Sequence, residues 1–249
     1  MKIIAHRGAS HDAPENTLAA VNLAWQQNAD AVEIDVHLSK DGKLVVIHDA
    51  TTKRTCGVNH KVREVTLAQL RTLDAGKWKG DQWAGEKIPT LEEVLAAVPR
   101  GKGVVVEIKS GPELLPELKR SLKRAALQPE QVFLAGFSFS HMKQAKLAIP
   151  DVRAYWIVAA SRGPRGRPAW PVSAAQLIHE TKQAGLDGLD VDARGPITPG
   201  FVRQVHADNL QLYVWTVDSA AHARKFKEAG VEGLTTNRPG WLRETLGRG

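Results

Sequence analysis

The chain has 249 residues, 43% hydrophobic and 24% charged, a composition that excludes disorder and fibrous repeats. Its net charge of +7 favours anionic partners in general, but lysine and arginine are scattered with no long basic tail, so no nucleic-acid partner is expected. The single cysteine, Cys56, excludes an internal disulfide framework and a Cys-rich zinc site, and fits a reducing compartment.

In chain order, short β-rich runs alternate with helical stretches. Residues 3–5 form an apolar strand ending at His6-Arg7-Gly8, and 16–27 carry helical periodicity. Residues 32–36 form a second strand; the Asp41-Gly42 turn leads to a further strand at 44–47. Residues 49–89 break the rhythm with four glycines and many charges, and read as a small insertion with one helical stretch at 67–73. Thr90 and Glu93 form a capping-box signature for a helix reaching about residue 98. Strands follow at 103–108, 131–137, 153–158, 188–191, 212–217 and 233–236. The helices between and after them lie at 112–126, 140–148, 173–184, 199–208, 219–229 and 241–246. With 44–47 set aside as a hairpin addition, eight strand–helix units in this length predict a (β/α)8 barrel, ahead of an open doubly wound sheet. No G-x-G-x-x-G follows the first strand, which argues against a dinucleotide site. No apolar run reaches the ~18 residues of a membrane span, so no membrane anchor is expected. The opening MKIIAHRGAS reads as no signal peptide, which places the product in the cytoplasm.

Barrel enzymes carry their chemistry at the C-terminal ends of strands. There this chain places His6-Arg7, Glu33 and Asp35, His48-Asp49, Glu107 and Lys109, Asp190 and Asp192, and Trp215. Glu33 and Asp35 are two apart and share one side of their strand. On an edge strand they would simply face solvent, but parallel strands are buried on both faces. Buried carboxylates side by side need a neutralising cation. With Glu107 they form an all-oxygen set suited to Mg²⁺ or Ca²⁺. His6 and His48 suit general acid/base work, and Arg7 and Lys109 suit a phosphate. The other seven histidines, at 11, 37, 60, 141, 179, 206 and 222, read as surface residues, with His11 as the exception to watch. Trp215 reads as core or as a pocket wall, and so do Phe137 and Phe139. Asp190 and Asp192 read as hydrogen-bonding neighbouring strand ends rather than as a second acidic cluster. The loop 161–168, with Arg162, Arg165 and Arg167, reads as a solvated surface loop or as a gate over the pocket.

The segments HRGAS with PENT, VEIDVHLSKDGKLVVIHD, VEIK, GFSFSH, WTV and TNRP together resemble the glycerophosphodiester phosphodiesterase family, over nearly the whole chain. The size resembles the cytoplasmic bacterial type. The resemblance implies one TIM-barrel domain over 1–249 with 49–89 as an insertion, and hydrolysis of glycerophosphodiesters to sn-glycerol 3-phosphate and an alcohol. It implies a divalent metal on Glu33, Asp35 and Glu107, with His6 and His48 as acid and base. It also implies phosphate contacts from Arg7 and Lys109, and places Glu15 and Asn16 near the site. His48 as base and His6 as acid is the working assignment, with attack by a substrate hydroxyl or by water left open. A related phosphodiesterase acting on lysophospholipids or other alkyl phosphodiesters is the alternative. The chain departs from the family pattern at Ala50, Asp218 and Asn237, none of which is a metal or histidine position.

Overall fold

A computed structural model describes residues 1–247, without the side chain of Pro164. Its eleven strands are β1 (Lys2–His6), β2 (Ala31–Leu38), β3 (Leu44–Val46), β4 (Gly103–Ile108), β5 (Val132–Gly136), β6 (Arg153–Val158), β7 (Ser161–Arg162), β8 (Pro168–Ala169), β9 (Gly188–Asp192), β10 (Gln211–Trp215) and β11 (Gly233–Thr236). The ten helices are α1 (Leu18–Gln26), α2 (Lys53–Cys56), α3 (Leu67–Leu70), α4 (Leu91–Ala96), α5 (Leu115–Arg124), α6 (Phe139–Ala148), α7 (Ala174–Gln183), α8 (Pro199–Ala207), α9 (Ala220–Ala229) and α10 (Pro239–Gly247). Eight strands run parallel in the order β1-β2-β4-β5-β6-β9-β10-β11, and the β11–β1 pairing closes the barrel. Antiparallel β3 pairs with β2 only at 36–38, beyond the point where β1 has ended.

The sequence pattern explains this closure. Strands such as GVVVEI are buried along their whole length, because one side meets the helix ring and the other fills the barrel. Val104 and Val106 pack outward with Leu115 and Leu118 of α5. Val105 points inward with Phe133, Ala135, Tyr155, Ile157 and Tyr213. The Thr90 box caps α4 as the sequence predicts, its hydroxyl accepting from the Glu93 N–H and the Glu93 carboxylate accepting from the Thr90 N–H. Residues 49–89 hold α2, α3 and three 3-10 turns. Their small apolar cluster, Val62, Leu70, Ala75 and Ile88, packs against Val45 and Ile47. The helix expected over 67–73 is one turn, Leu67–Leu70. The arginine-rich loop contains the small antiparallel β7–β8 pair.

The turn after β1 sets the catalytic end. Arg7 and Gly8 both adopt left-handed backbone, φ 57° and 79°. A Cβ on Gly8 would lie 2.5 Å from the Ala20 carbonyl carbon of α1. Only glycine lets the chain cross that close to a helix backbone. Gly8→Ala should therefore destabilise the fold by about 2 kcal/mol or more in denaturant titrations. Unchanged stability would contradict this account of the turn.

Candidate active site

Three acidic side chains meet inside the barrel. Glu33 and Asp35 project inward from β2, and Glu107 on β4 lies directly opposite Asp35 in register. One carboxylate oxygen from each lies within 4.8 Å of the others, and all three residues are buried. The left-handed Arg7 aims its backbone N–H at Glu33 Oε2, 2.9 Å away. Asn16, also left-handed at φ 59°, braces Asp35 at both ends. Its Nδ2 donates to Asp35 Oδ2 at 2.8 Å, and its Oδ1 accepts the Asp35 N–H at 3.2 Å.

Two cations face the three carboxylates. Arg7 Nε stands 3.2 Å from Asp35 Oδ2; Lys109 Nζ donates to Glu107 Oε1 at 2.8 Å and stands 3.5 Å from Asp35 Oδ1. Burial works against the Asp35 carboxylate, but Arg7 and Lys109 outweigh it and hold Asp35 below its usual range. Burial, then the charges of Asp35 and Glu107, drive Glu33 well above its usual range. Burial and Asp35 push Glu107 up to about 7. Glu33 Oε1 and Asp35 Oδ1 are buried without a hydrogen-bond partner. Surplus negative charge and two orphaned oxygens in an all-oxygen set fit a divalent cation.

Both histidines line one space with Glu33 and Glu107 of this cluster. His6 Nδ1 lies 2.7 Å from Asn237 Oδ1, across the β1–β11 closure. The Asn237 amide nitrogen donates to Asp218 Oδ2, so the amide oxygen faces the imidazole. His6 Nδ1 is therefore the donor, which leaves Nε2 with a lone pair. Burial and then Arg7 lower the His6 pKa, favouring the neutral ring. His48 Nδ1 lies 2.6 Å from Asp49 Oδ1. Hydrogen bonding from Arg54 is the main cause that lowers Asp49 to about 2, so it stays a carboxylate. Arg54 also donates to both Glu15 oxygens at 2.8 Å, and Glu15 Oε1 accepts from Arg7 Nη1 at 2.9 Å. One relay of alternating charge thus runs from Arg7 through Glu15, Arg54 and Asp49 to His48.

His6, Arg7, Glu33, His48, Glu107 and Lys109 line a single cleft of about 460 Å³. Phe137 and Trp215 form its aromatic wall, edge to face at 5.6 Å, and Ala135, Ile157, Asp190 and Thr235 complete the lining. Phe139 instead packs on Trp156, at 4.7 Å between ring centres. Two sequence readings change, those of His37 and Asp190. His37 is not a surface residue: it lies buried in β2, and its Nε2 donates to the His48 carbonyl at 3.1 Å. Asp192 does bond locally, to Arg194, but Asp190 Oδ1 is buried without a partner. Burial, then the charge of Glu107, pushes Asp190 up to about 8. His11 is half exposed and pairs with Asp12. Among the described residues, none of Arg162, Arg165 and Arg167 lines the cleft. The bridging role of Arg54 was missed, since nothing local marks it.

The model of the glycerophosphoryl diester phosphodiesterase family matches residues 6–241. The chain belongs to that family. It is 32% identical to a glycerophosphodiester phosphodiesterase of Caldanaerobacter subterraneus, covering 99% of this chain and 98% of that protein. A Bacillus subtilis glycerophosphodiester phosphodiesterase is 31% identical over 95% of this chain and 83% of its own length. Among solved structures, an Oleispira antarctica phosphodiesterase in complex with the product sn-glycerol-3-phosphate superposes with a TM-score of 0.89, at 28% identity, over 99% of this chain and 97% of that one. The chain is thus an enzyme, a phosphoric diester hydrolase of the glycerophosphodiester phosphodiesterase type.

A pH test follows for the chelator-treated phosphodiesterase. A carboxyl raised from 4.5 to about 7 lends its full stability below its unfolded value and loses it as pH rises through 7. Glu107→Gln removes that loss. The chelator-treated variant should melt above wild type at pH 8 and close to it at pH 5. A variant that melts below wild type at both pH values would contradict the electrostatic reading.

Proposed function

We propose that this phosphodiesterase hydrolyses glycerophosphodiesters to sn-glycerol 3-phosphate and an alcohol, with a divalent metal and a two-histidine acid/base pair. The observation that carries this reading is the buried Glu33–Asp35–Glu107 cluster, with its two orphaned oxygens, in one cleft with both imidazoles. A divalent cation held by these three carboxylates would supply Lewis-acid polarisation of a phosphoryl oxygen and acidify a nearby hydroxyl or water. The hard oxygen donors favour Mg²⁺ or Ca²⁺.

The remaining steps belong to the protein's own groups. Arg7 and Lys109 bring positive charge to the cleft wall, where the phosphoryl oxygens gather charge in the transition state. The hydrogen bonds support His6 as the base and His48 as the acid, the reverse of the working assignment from sequence. His6 is held neutral with its Nε2 free to accept a proton from the attacking water, or from a substrate hydroxyl whose cyclic phosphate product water then opens. The Asp49 carboxylate accepts from His48 Nδ1 and so orients the ring, from which a proton passes to the leaving alkoxide. Phe137 and Trp215 wall the cleft against the carbon skeleton of the substrate.

The same reading treats 1–249 as one catalytic domain carrying 49–89 as an insertion, supported by the family match across that segment. The partner is a small-molecule phosphodiester. No helix among the described residues is long and apolar enough to cross a membrane. The cytoplasmic setting is part of this proposal and is supported by the lone free Cys56.

A coupled assay for glycerol 3-phosphate tests it, with choline, ethanolamine, inositol and glycerol headgroups. Turnover should require Mg²⁺ or Ca²⁺, stop with chelator and return on adding metal. His6→Ala and His48→Ala should each lower kcat by about 100-fold or more. Normal turnover in either variant would remove the pair from the mechanism, and full activity after exhaustive chelation would remove the metal.

A further inference from the structure

Asp190 is the one inward carboxyl of the catalytic cleft that the mechanism above does not use. It sits on β9 beside Ile157 of β6 and Tyr213 of β10 in register. It is 9% exposed and lines the same cleft as His6, Lys109 and Trp215. Its Oδ1 has no hydrogen-bond partner in the folded chain. It does not belong to the cluster of Glu33, Asp35 and Glu107. The cations nearest that cluster do not reach it, since Arg7 pairs with Glu15 and Asp35, and Lys109 with Glu107 and Asp35. A buried, unpartnered carboxyl weakens a fold, so its presence at a binding cleft points to a partner that arrives with the substrate.

The surroundings indicate what that partner is. The indole N–H of Trp215 donates to the backbone carbonyl of Asp190 at 3.2 Å, which fixes the aromatic wall relative to the carboxyl. Phe137 abuts Trp215 edge to face. An aromatic face suits the C–H bonds of a small polyol, and a carboxyl beside it suits that polyol's hydroxyl. A phosphate has the cations Arg7 and Lys109 elsewhere in the cleft, whereas Asp190 offers it no positive charge. We propose that Asp190 is a specificity-determining residue that hydrogen-bonds a hydroxyl of the glycerol moiety. This deepens the functional reading above and rests on it: the cleft has a phosphate end at Arg7 and Lys109 and a polyol end at Asp190 and Trp215. The chain would then be selected for the glycerol half of its substrate and leave the alcohol half less constrained.

The test compares two ligands on the full chain with Mg²⁺ present, by calorimetry: sn-glycerol 3-phosphate and inorganic phosphate. Asp190→Ala should weaken sn-glycerol 3-phosphate by about 10- to 100-fold and leave inorganic phosphate within about threefold. Asp190→Asn, which keeps hydrogen-bonding capacity, should lie between alanine and wild type. The alanine variant should melt no lower than wild type, because an unpaired buried polar group has been removed. Equal weakening of both ligands, unchanged sn-glycerol 3-phosphate affinity, or an alanine variant that melts lower or fails to fold would overturn the inference. Glycerol 3-phosphate release from glycerophosphocholine by the wild type separates the two levels. Its absence would bring down the functional reading together with this one, whereas normal release with no Asp190 effect overturns this inference alone.

Discussion

Everything at the catalytic end follows from three carboxylates forced into one buried space. A parallel barrel has no wet face inside, so Glu33, Asp35 and Glu107 cannot shed charge into solvent. The protein answers with partial compensation. Arg7 and Lys109 hold Asp35 ionised, while Glu33 and Glu107 are driven toward protonation. That imbalance leaves two oxygens without hydrogen-bond partners, and a divalent cation held there would resolve it. The strained backbone at Arg7 and Asn16 is the structural consequence, since both residues depart from ordinary geometry to brace the same carboxylates.

The second constraint is orientation. A pair of histidines does useful work only when each ring nitrogen has an assigned role. The chain assigns them with different partners. An amide oxygen, itself fixed by Asp218, faces His6, whereas a carboxylate pinned by Arg54 faces His48. The relay from Arg7 through Glu15 and Arg54 to Asp49 ties the arginine of the cleft wall to the partner of His48 at the start of the short insertion. A change at exposed Arg54 therefore reaches the cleft through hydrogen bonds, without touching substrate.

Much of this was legible in the chain. Strand–helix alternation gave the barrel, because inward and outward faces of parallel strands are both apolar and so stand out as short uninterrupted runs. Glu33, Asp35, Glu107 and Lys109 stood out because charge in such runs violates the pattern. What the sequence hid were partnerships that depend on closure or on turns. Asn237 reaches His6 only because β11 pairs with β1, 231 positions apart. Arg54 lies in an irregular insertion with no periodicity to point its side chain. His37 was read as surface because its strand continues past Glu33 and Asp35 to Leu38. Asp190 looked like an ordinary strand-end acid until its lack of partners became visible.

The central claim is that the buried carboxylate cluster is a cation site. The most direct measurement is calorimetric titration of the chelator-stripped chain with Mg²⁺ and with Ca²⁺, run alongside Asp35→Asn. The account predicts one ion per wild-type chain, a rise in melting temperature on binding, and loss of both in the variant. Binding that persists unchanged in Asp35→Asn, or no binding by the wild type, would contradict it.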